Sequence, residues 1–135
     1  MSTNELKYEK WIEHINRANT DYFVACKRIQ DLKSPWGLDV LMSQATLENV
    51  THCMTLPRIE KICRNARWAY VKALNLKKKA DDIEKVQQIF NTSNVYFQAL
   101  NKRKELLAEL TEARKKRDSA KQRYNDLCKI KVTND

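Results

Sequence analysis

The stretch PRIEKICRNARWAYVKALNLKKKADDIEKVQQIF, residues 57–90, decides the fold class of this chain. Its apolar residues fall in two interleaved series seven residues apart. Ile59, Ala66, Ala73 and Ala80 form one series, which the polar Gln87 closes, and Ile62, Ala69, Leu76, Ile83 and Phe90 form the other. A repeat of this length keeps one stripe of an α-helix turned toward one neighbour. Strands alternate with a period of two and do not produce it. We therefore expect one helix over 57–90, about 50 Å long at 1.5 Å per residue. Alanine at so many of these positions lets a neighbouring backbone approach closely but buries less surface than leucine or isoleucine.

Downstream, Asn91-Thr92-Ser93-Asn94 clusters turn and capping residues, which predicts a short connection and a helical hairpin. A further helix is expected from Val95 towards Lys131. There Ala99, Leu106, Ala113, Ala120 and Leu127 keep the seven-residue spacing, accompanied by Tyr96, Arg103, Leu110, Arg117 and Tyr124. The arginines weaken apolar packing, although their stems can lie along apolar surface. Residues 132–135 read as a frayed end.

Upstream, Thr55 with Pro57 marks one break and Ser34-Pro35-Trp36-Gly37 another, because proline disfavours helical geometry in the residue before it. Between them we expect a helix from Leu38 to Met54, with Leu38, Leu41 and Ala45 on one flank and Val40, Leu47, Val50 and Met54 on the other. The first helix is expected to start with a capping box of Ser2 and Glu5 and to end at Lys33. Tyr8, Ile15, Tyr22 and Ile29, with Trp11, Ala18, Ala25 and Leu32 offset by three, repeat along it every seven residues.

The chain thus reads as all-α, with about four helices in an elongated hairpin or bundle carrying coiled-coil heptads. Its N-terminal helices occupy 1–56 and a long hairpin 57–135, within a single structural unit. The long heptad-bearing helices are not matched by partners of equal length in the chain, so a second protein is expected to cover the surplus, as a homo- or hetero-oligomer. A self-contained four-helix bundle is the competing arrangement.

Composition agrees. One Gly and two Pro in 135 residues exclude an all-β fold rich in turns. With 42% hydrophobic and 32% charged residues, the chain is too apolar for a disordered segment and too polar for a membrane protein. No apolar run approaches the roughly 20 residues a membrane span needs. Met-Ser-Thr-Asn-Glu lacks the basic start and apolar region of a secretory signal, so an intracellular location is expected, cytoplasm or nucleus. The sequons at Asn49 and Asn91 then read as chance. Cys26, Cys53, Cys63 and Cys128 show no paired spacing and read as buried thiols. His52, Cys53 and Cys63 lack a fourth zinc ligand nearby.

The net charge of +9 is unevenly spread. From 57 to 79 the cations Arg58, Lys61, Arg64, Arg67, Lys72, Lys77, Lys78 and Lys79 are opposed only by Glu60, and most lie off the apolar stripe. Trp68 stands among them, one turn from Arg64 and from Lys72. Two readings of Trp68 compete: a binding anchor among cations, or a core residue like most tryptophans, as for Trp11 and Trp36. The run Arg114-Lys115-Lys116-Arg117, with Lys121 and Arg123, reads first as a solvated face paired with Glu105, Glu109, Glu112 and Asp118.

Three anionic surfaces suit the 57–79 segment. No nucleic-acid recognition motif is present, and an interfacial lipid-binding helix would carry bulkier residues than this alanine-rich stripe. An acidic protein surface or a microtubule therefore leads, and a compact nucleic-acid-binding module is the alternative. We expect no catalytic, cofactor or metal site. Two His and one Gly supply little for a concave active site, and no P-loop, dinucleotide fingerprint or metalloprotease motif occurs. Ser34-Pro35 fits a proline-directed phosphorylation site at a helix start on two residues alone.

In its heptads, helix breaks and basicity the chain resembles the small helical subunits of spindle, kinetochore and vesicle-tethering assemblies, the augmin type among them. The resemblance implies a stoichiometric scaffold role with a cytoskeletal connection. Ile59, Ile62, Leu76, Ile83, Leu106 and Leu110 become the candidate association positions, and the basic face a possible polymer contact.

Overall fold

The computed structural model describes residues 5–35, 40–77 and 83–133. Ser2, Trp36, Gly37, Leu38, Lys78, Lys79 and Ala80, singled out above, lie outside them. The described elements are β1 (Glu5–Lys7), α1 (Tyr8–Lys33), α2 (Leu47–His52), α3 (Leu56–Lys77), α4 (Ile83–Cys128) and β2 (Lys131–Thr133). Helix accounts for 83% of the structure, so the class is all-α with one minimal sheet. The chain forms two compact units, Met1–Gln30 with Leu110–Asp135 and Asp31–Glu109, so the division expected after residue 56 falls inside the second.

In the first unit the start of α1 packs against the end of α4, in opposite directions. Trp11 donates its indole N–H to the Leu127 carbonyl at 2.8 Å, and Asp21 meets Arg123 at 2.9 Å. The first contact satisfies one of the carbonyls that the last turn of a helix leaves without an intrahelical partner. Ala18, Ala25, Ala113 and Ala120 are buried, and these small side chains let the two backbones close on each other.

Two expectations are corrected here. Glu5 is not in a capping box; it sits in β1, where Glu5, Leu6 and Lys7 pair in parallel with Lys131, Val132 and Thr133. Val132 and Thr133 are accordingly not frayed. After α4 a turn, closed by Lys129 N–H to Asp126 O and Ile130 N–H to Leu127 O, reverses the chain and lays it beside β1. The pairing satisfies backbone groups that helical periodicity could not account for.

In the second unit α3 and the first half of α4 form an antiparallel hairpin, with Glu60 opposite Arg103 and Tyr70 opposite Tyr96. Ile59, Ile62, Ala66, Ala73, Ala99 and Leu106 are buried, as are Leu32, Val50, Cys53 and Leu56. Pro57 stands in the first turn of α3, where a missing N–H costs no helical bond.

The helix expected from Leu38 to Met54 is instead an irregular segment followed by the short α2. Thr46 caps α2 by accepting from Asn49 N–H at 3.0 Å, while the Asn49 amide donates to the Leu41 and Gln44 carbonyls at 2.9 and 3.0 Å. Arg58 Nε and the Asn65 amide hold the Met42 and Ser43 carbonyls, each at 2.8 Å. Side chains thus supply the partners that a continuous helix would have found in its own backbone.

The connection expected at Asn91-Thr92-Ser93-Asn94 is likewise absent, because α4 runs straight through it. The turn-forming side chains bond inward: Thr92 Oγ1 donates to Gln88 O at 2.8 Å, Ser93 Oγ to Phe90 O at 2.9 Å, and Gln87 to Asn91 at 3.2 Å. In that geometry they leave the helical ladder intact. The helix expected over 57–90 is therefore two helices, the first ending at Lys77 and the second beginning at Ile83.

Candidate functional site: two exposed faces of the helical hairpin

Of the six candidate association positions, Ile59 and Ile62 are fully buried and Leu106 and Leu110 nearly so, at 3% and 6% exposure. These four belong to the chain's own interior. Leu76 is half-buried, and Ile83 is 87% exposed. A heptad marks a stripe that requires cover without stating whether the cover is internal, and here most of it is.

The apolar surface left bare lies elsewhere on the hairpin. On α4, Ile83, Phe90 and Phe97 stand seven residues apart with exposures of 87%, 66% and 55%, and Val86 lies beside them. They occupy the side of the helix opposite buried Ala99 and Leu106. Gln87, Asn91, Asn94 and Gln98 line one edge of this stripe with uncharged amides. Its signal was legible in part, since Ile83 and Phe90 belong to a heptad series. Phe97 was missed because the series was expected to break at Asn91, and Val86 because it belongs to neither heptad series.

The cationic face of α3 is real but smaller than its sequence. Arg58 is buried, its guanidinium turned inward to the Met42 carbonyl and, at 3.9 Å, to the Met42 sulfur. It holds the irregular segment and does not face solvent. Lys78 and Lys79 lie outside the described residues, as does the Lys77 side chain. Lys61, Arg64, Arg67 and Lys72 remain.

Trp68 is 66% exposed, so of its two readings it is not a core residue. Trp11 is half-buried. Lys72 places its ammonium 4.9 Å from the centre of the Trp68 ring, a cation–π arrangement. An open hollow of about 310 Å³ is lined by Trp68, Val71, Lys72, Asn75 and Leu76. A second, of about 300 Å³, brings Arg64, Arg67 and Arg103 together with Tyr96 and Glu60. Glu60 reaches Arg103 at 3.9 Å, in an exposed and weak pair.

The second basic cluster behaves mainly as a solvated face. Arg114, Lys115 and Lys116 are exposed and Arg117 pairs with Asp118 at 3.0 Å. Arg123, however, pairs across to Asp21 on α1, which only the packing of the two helices brings near.

The thiols divide in two. Cys53 and Cys63 are buried, while Cys26 is half-buried and Cys128 exposed, which corrects the expectation of four buried thiols. Burial pushes the Cys53 and Cys63 thiols above their ordinary range, and the Arg103 guanidinium partly offsets this for Cys63. His14 and His52 are exposed. Among the described residues no three of His, Cys, Asp and Glu converge in a way that would hold a metal ion. Among them, too, no helix is long and apolar enough to cross a membrane. No protein-family model, curated protein or solved structure matches this chain.

Proposed function

We propose that this chain is a non-enzymatic helical subunit of a multiprotein intracellular assembly, of cytoskeletal, spindle or tethering type, joined to its partner by coiled-coil pairing. One observation carries the reading: Ile83, Phe90 and Phe97, spaced seven residues apart, present an uncovered apolar stripe on α4. Such a stripe is the half of a helix pair that a second helix completes. Neutral amides along one edge and Val86 on the other impose no charge on the partner, so apolar fit would dominate recognition.

The test is light scattering of the purified chain during gel filtration, alone and with partners co-purified on it, comparing wild type with Phe90→Asp and Phe97→Asp. Phe90 faces solvent, so its variant should keep the wild-type circular dichroism spectrum and lose association; the Phe97 ring also lies 6.4 Å from that of Tyr70 on α3, so its variant is compared at matched helicity. Association that persists in both variants would overturn the proposal, as would a wild-type chain that stays monomeric and partner-free.

A second reading rests on exposed Trp68 beneath Lys72 and on the convergence of Arg64, Arg67 and Arg103. This face suits an acidic protein surface such as that of a microtubule, with nucleic acid as the alternative occupant. Reversing Arg64 and Arg67 to Glu should abolish salt-sensitive binding to whichever of the two is bound, measured separately for polymerised tubulin and for DNA or RNA.

A further inference from the structure

The first unit contains an open cavity of about 280 Å³ that the reading above does not use. Asn19, Tyr22 and Phe23 of α1 line it from one side and Lys121, Tyr124 and Asn125 of α4 from the other. Ligand pockets commonly run from about 300 to 1,000 Å³, so this one suits a single small planar group. Tyr22 and Phe23 meet edge to face, with centroids 5.7 Å apart and planes at 79°, so the pair offers both a ring face and a ring edge. Phe23 is 67% exposed and Tyr124 38%, apolar surface that a stacked ring would cover. The hydrogen bond between Tyr22 and Cys26 holds the phenol and pushes its pKa above the usual 10.0.

Charge narrows the choice of ligand. The lining has one cation, Lys121, and no carboxylate. Of the acids nearest in sequence, Asp21 is engaged by Arg123 at 2.9 Å and Asp118 by Arg117 at 3.0 Å, while Asp126, next to Asn125, accepts from the Gln122 amide at 2.9 Å. Arg114, exposed and seven residues before Lys121, lies on the same side of α4. The two asparagine amides each offer a donor and an acceptor, as needed to meet the edge of a heteroaromatic ring. Aromatic faces, amides and an ammonium in one small cavity match a base carrying a phosphate.

We propose that this cavity binds a nucleotide unit, with the base against Tyr22, Phe23 and Tyr124, its edge toward Asn19 and Asn125, and its phosphate at Lys121. The unit is either a free nucleotide or one residue of a single strand, for which Arg114 would hold a neighbouring phosphate. This inference is independent of the coiled-coil reading.

Two titrations of the full chain test it: adenosine monophosphate by calorimetry, and a fluorescent single-stranded RNA by anisotropy. Tyr124→Ala should weaken whichever ligand binds roughly tenfold, the usual scale for losing one stacking ring. Tyr124→Phe keeps the ring and should stay within about twofold of wild type on the same argument. Lys121→Glu should weaken binding and flatten its salt dependence by about one phosphate contact. Circular dichroism confirms that each variant is folded. Binding of the mononucleotide assigns a free-nucleotide site, and binding of the strand alone a strand site. The proposal is overturned if neither ligand binds at low salt, or if folded Tyr124→Ala and Phe23→Ala bind as tightly as wild type.

Discussion

Ile62 and Trp68 lie on the same helix, α3, but on different sides of it, one fully buried and the other 66% exposed. Truncating each to alanine separates the face that holds the hairpin together from the face left for something else. Ile62→Ala removes three carbons from a closed interior, roughly 2.4 kcal/mol at about 0.8 kcal/mol per buried methylene. The void left behind brings the cost to about 3 kcal/mol. For a chain of this size that lowers the melting temperature by roughly 12 °C, at about 4 °C per kcal/mol. Trp68→Ala loses only the covered third of its surface and an exposed cation–π contact with Lys72, together about 2 kcal/mol. Urea unfolding followed by far-ultraviolet circular dichroism reads both variants against wild type. If Trp68→Ala costs as much as Ile62→Ala, Trp68 is a core residue and the argument for a free α3 face fails.

Three further outcomes are expected. Arg58→Met keeps the bulk of the side chain but abandons the Met42 carbonyl, so it should destabilise by about 2 kcal/mol, seen in the same urea titration, with faster proteolysis of the irregular segment. Ser43→Ala should be neutral or stabilising by up to about 1 kcal/mol, because among the described residues the buried Ser43 hydroxyl has no hydrogen-bond partner to lose. Finally, an alkylating reagent should label Cys128 first, Cys26 more slowly, and Cys53 and Cys63 only on unfolding, which mass spectrometry of timed samples resolves. The buried pair also sets the sign of the alkaline response. In the folded chain they hold their protons above the ordinary thiol value of 9.0, so their contribution is complete below about pH 9 and lost as pH rises through the folded values. Replacing both with alanine should flatten that alkaline loss relative to wild type.

The helical class was legible from spacing alone, because a seven-residue apolar repeat has no other economical solution in a backbone. The same repeats marked Ile59, Ile62, Ala66, Leu106 and Ala113 as residues that must be covered, and all five are buried. The end of α1 was legible from Ser34-Pro35, since proline constrains its neighbour whatever the tertiary context. Turn-forming residues were less decisive. Asn91, Thr92 and Ser93 bond equally well in a turn or back onto a helix, and only the surrounding packing selects between these. Asn49, Arg58 and Asn65 hold an irregular segment in place of the helix that apolar content suggested, through contacts across as many as 22 residues.

Sequence by itself therefore determined the helical class and which stripes need cover, since both follow from local periodicity. Tertiary structure alone decided which chain segment supplies the cover. It brought residues 5–7 beside 131–133, turned Arg58 inward and left Trp68, Phe90 and Phe97 in solvent. The physical reason is that an apolar side chain is stabilised by any surface that excludes water, so its identity carries no address. The address is set by backbone hydrogen bonds and shape complementarity between segments far apart in the chain.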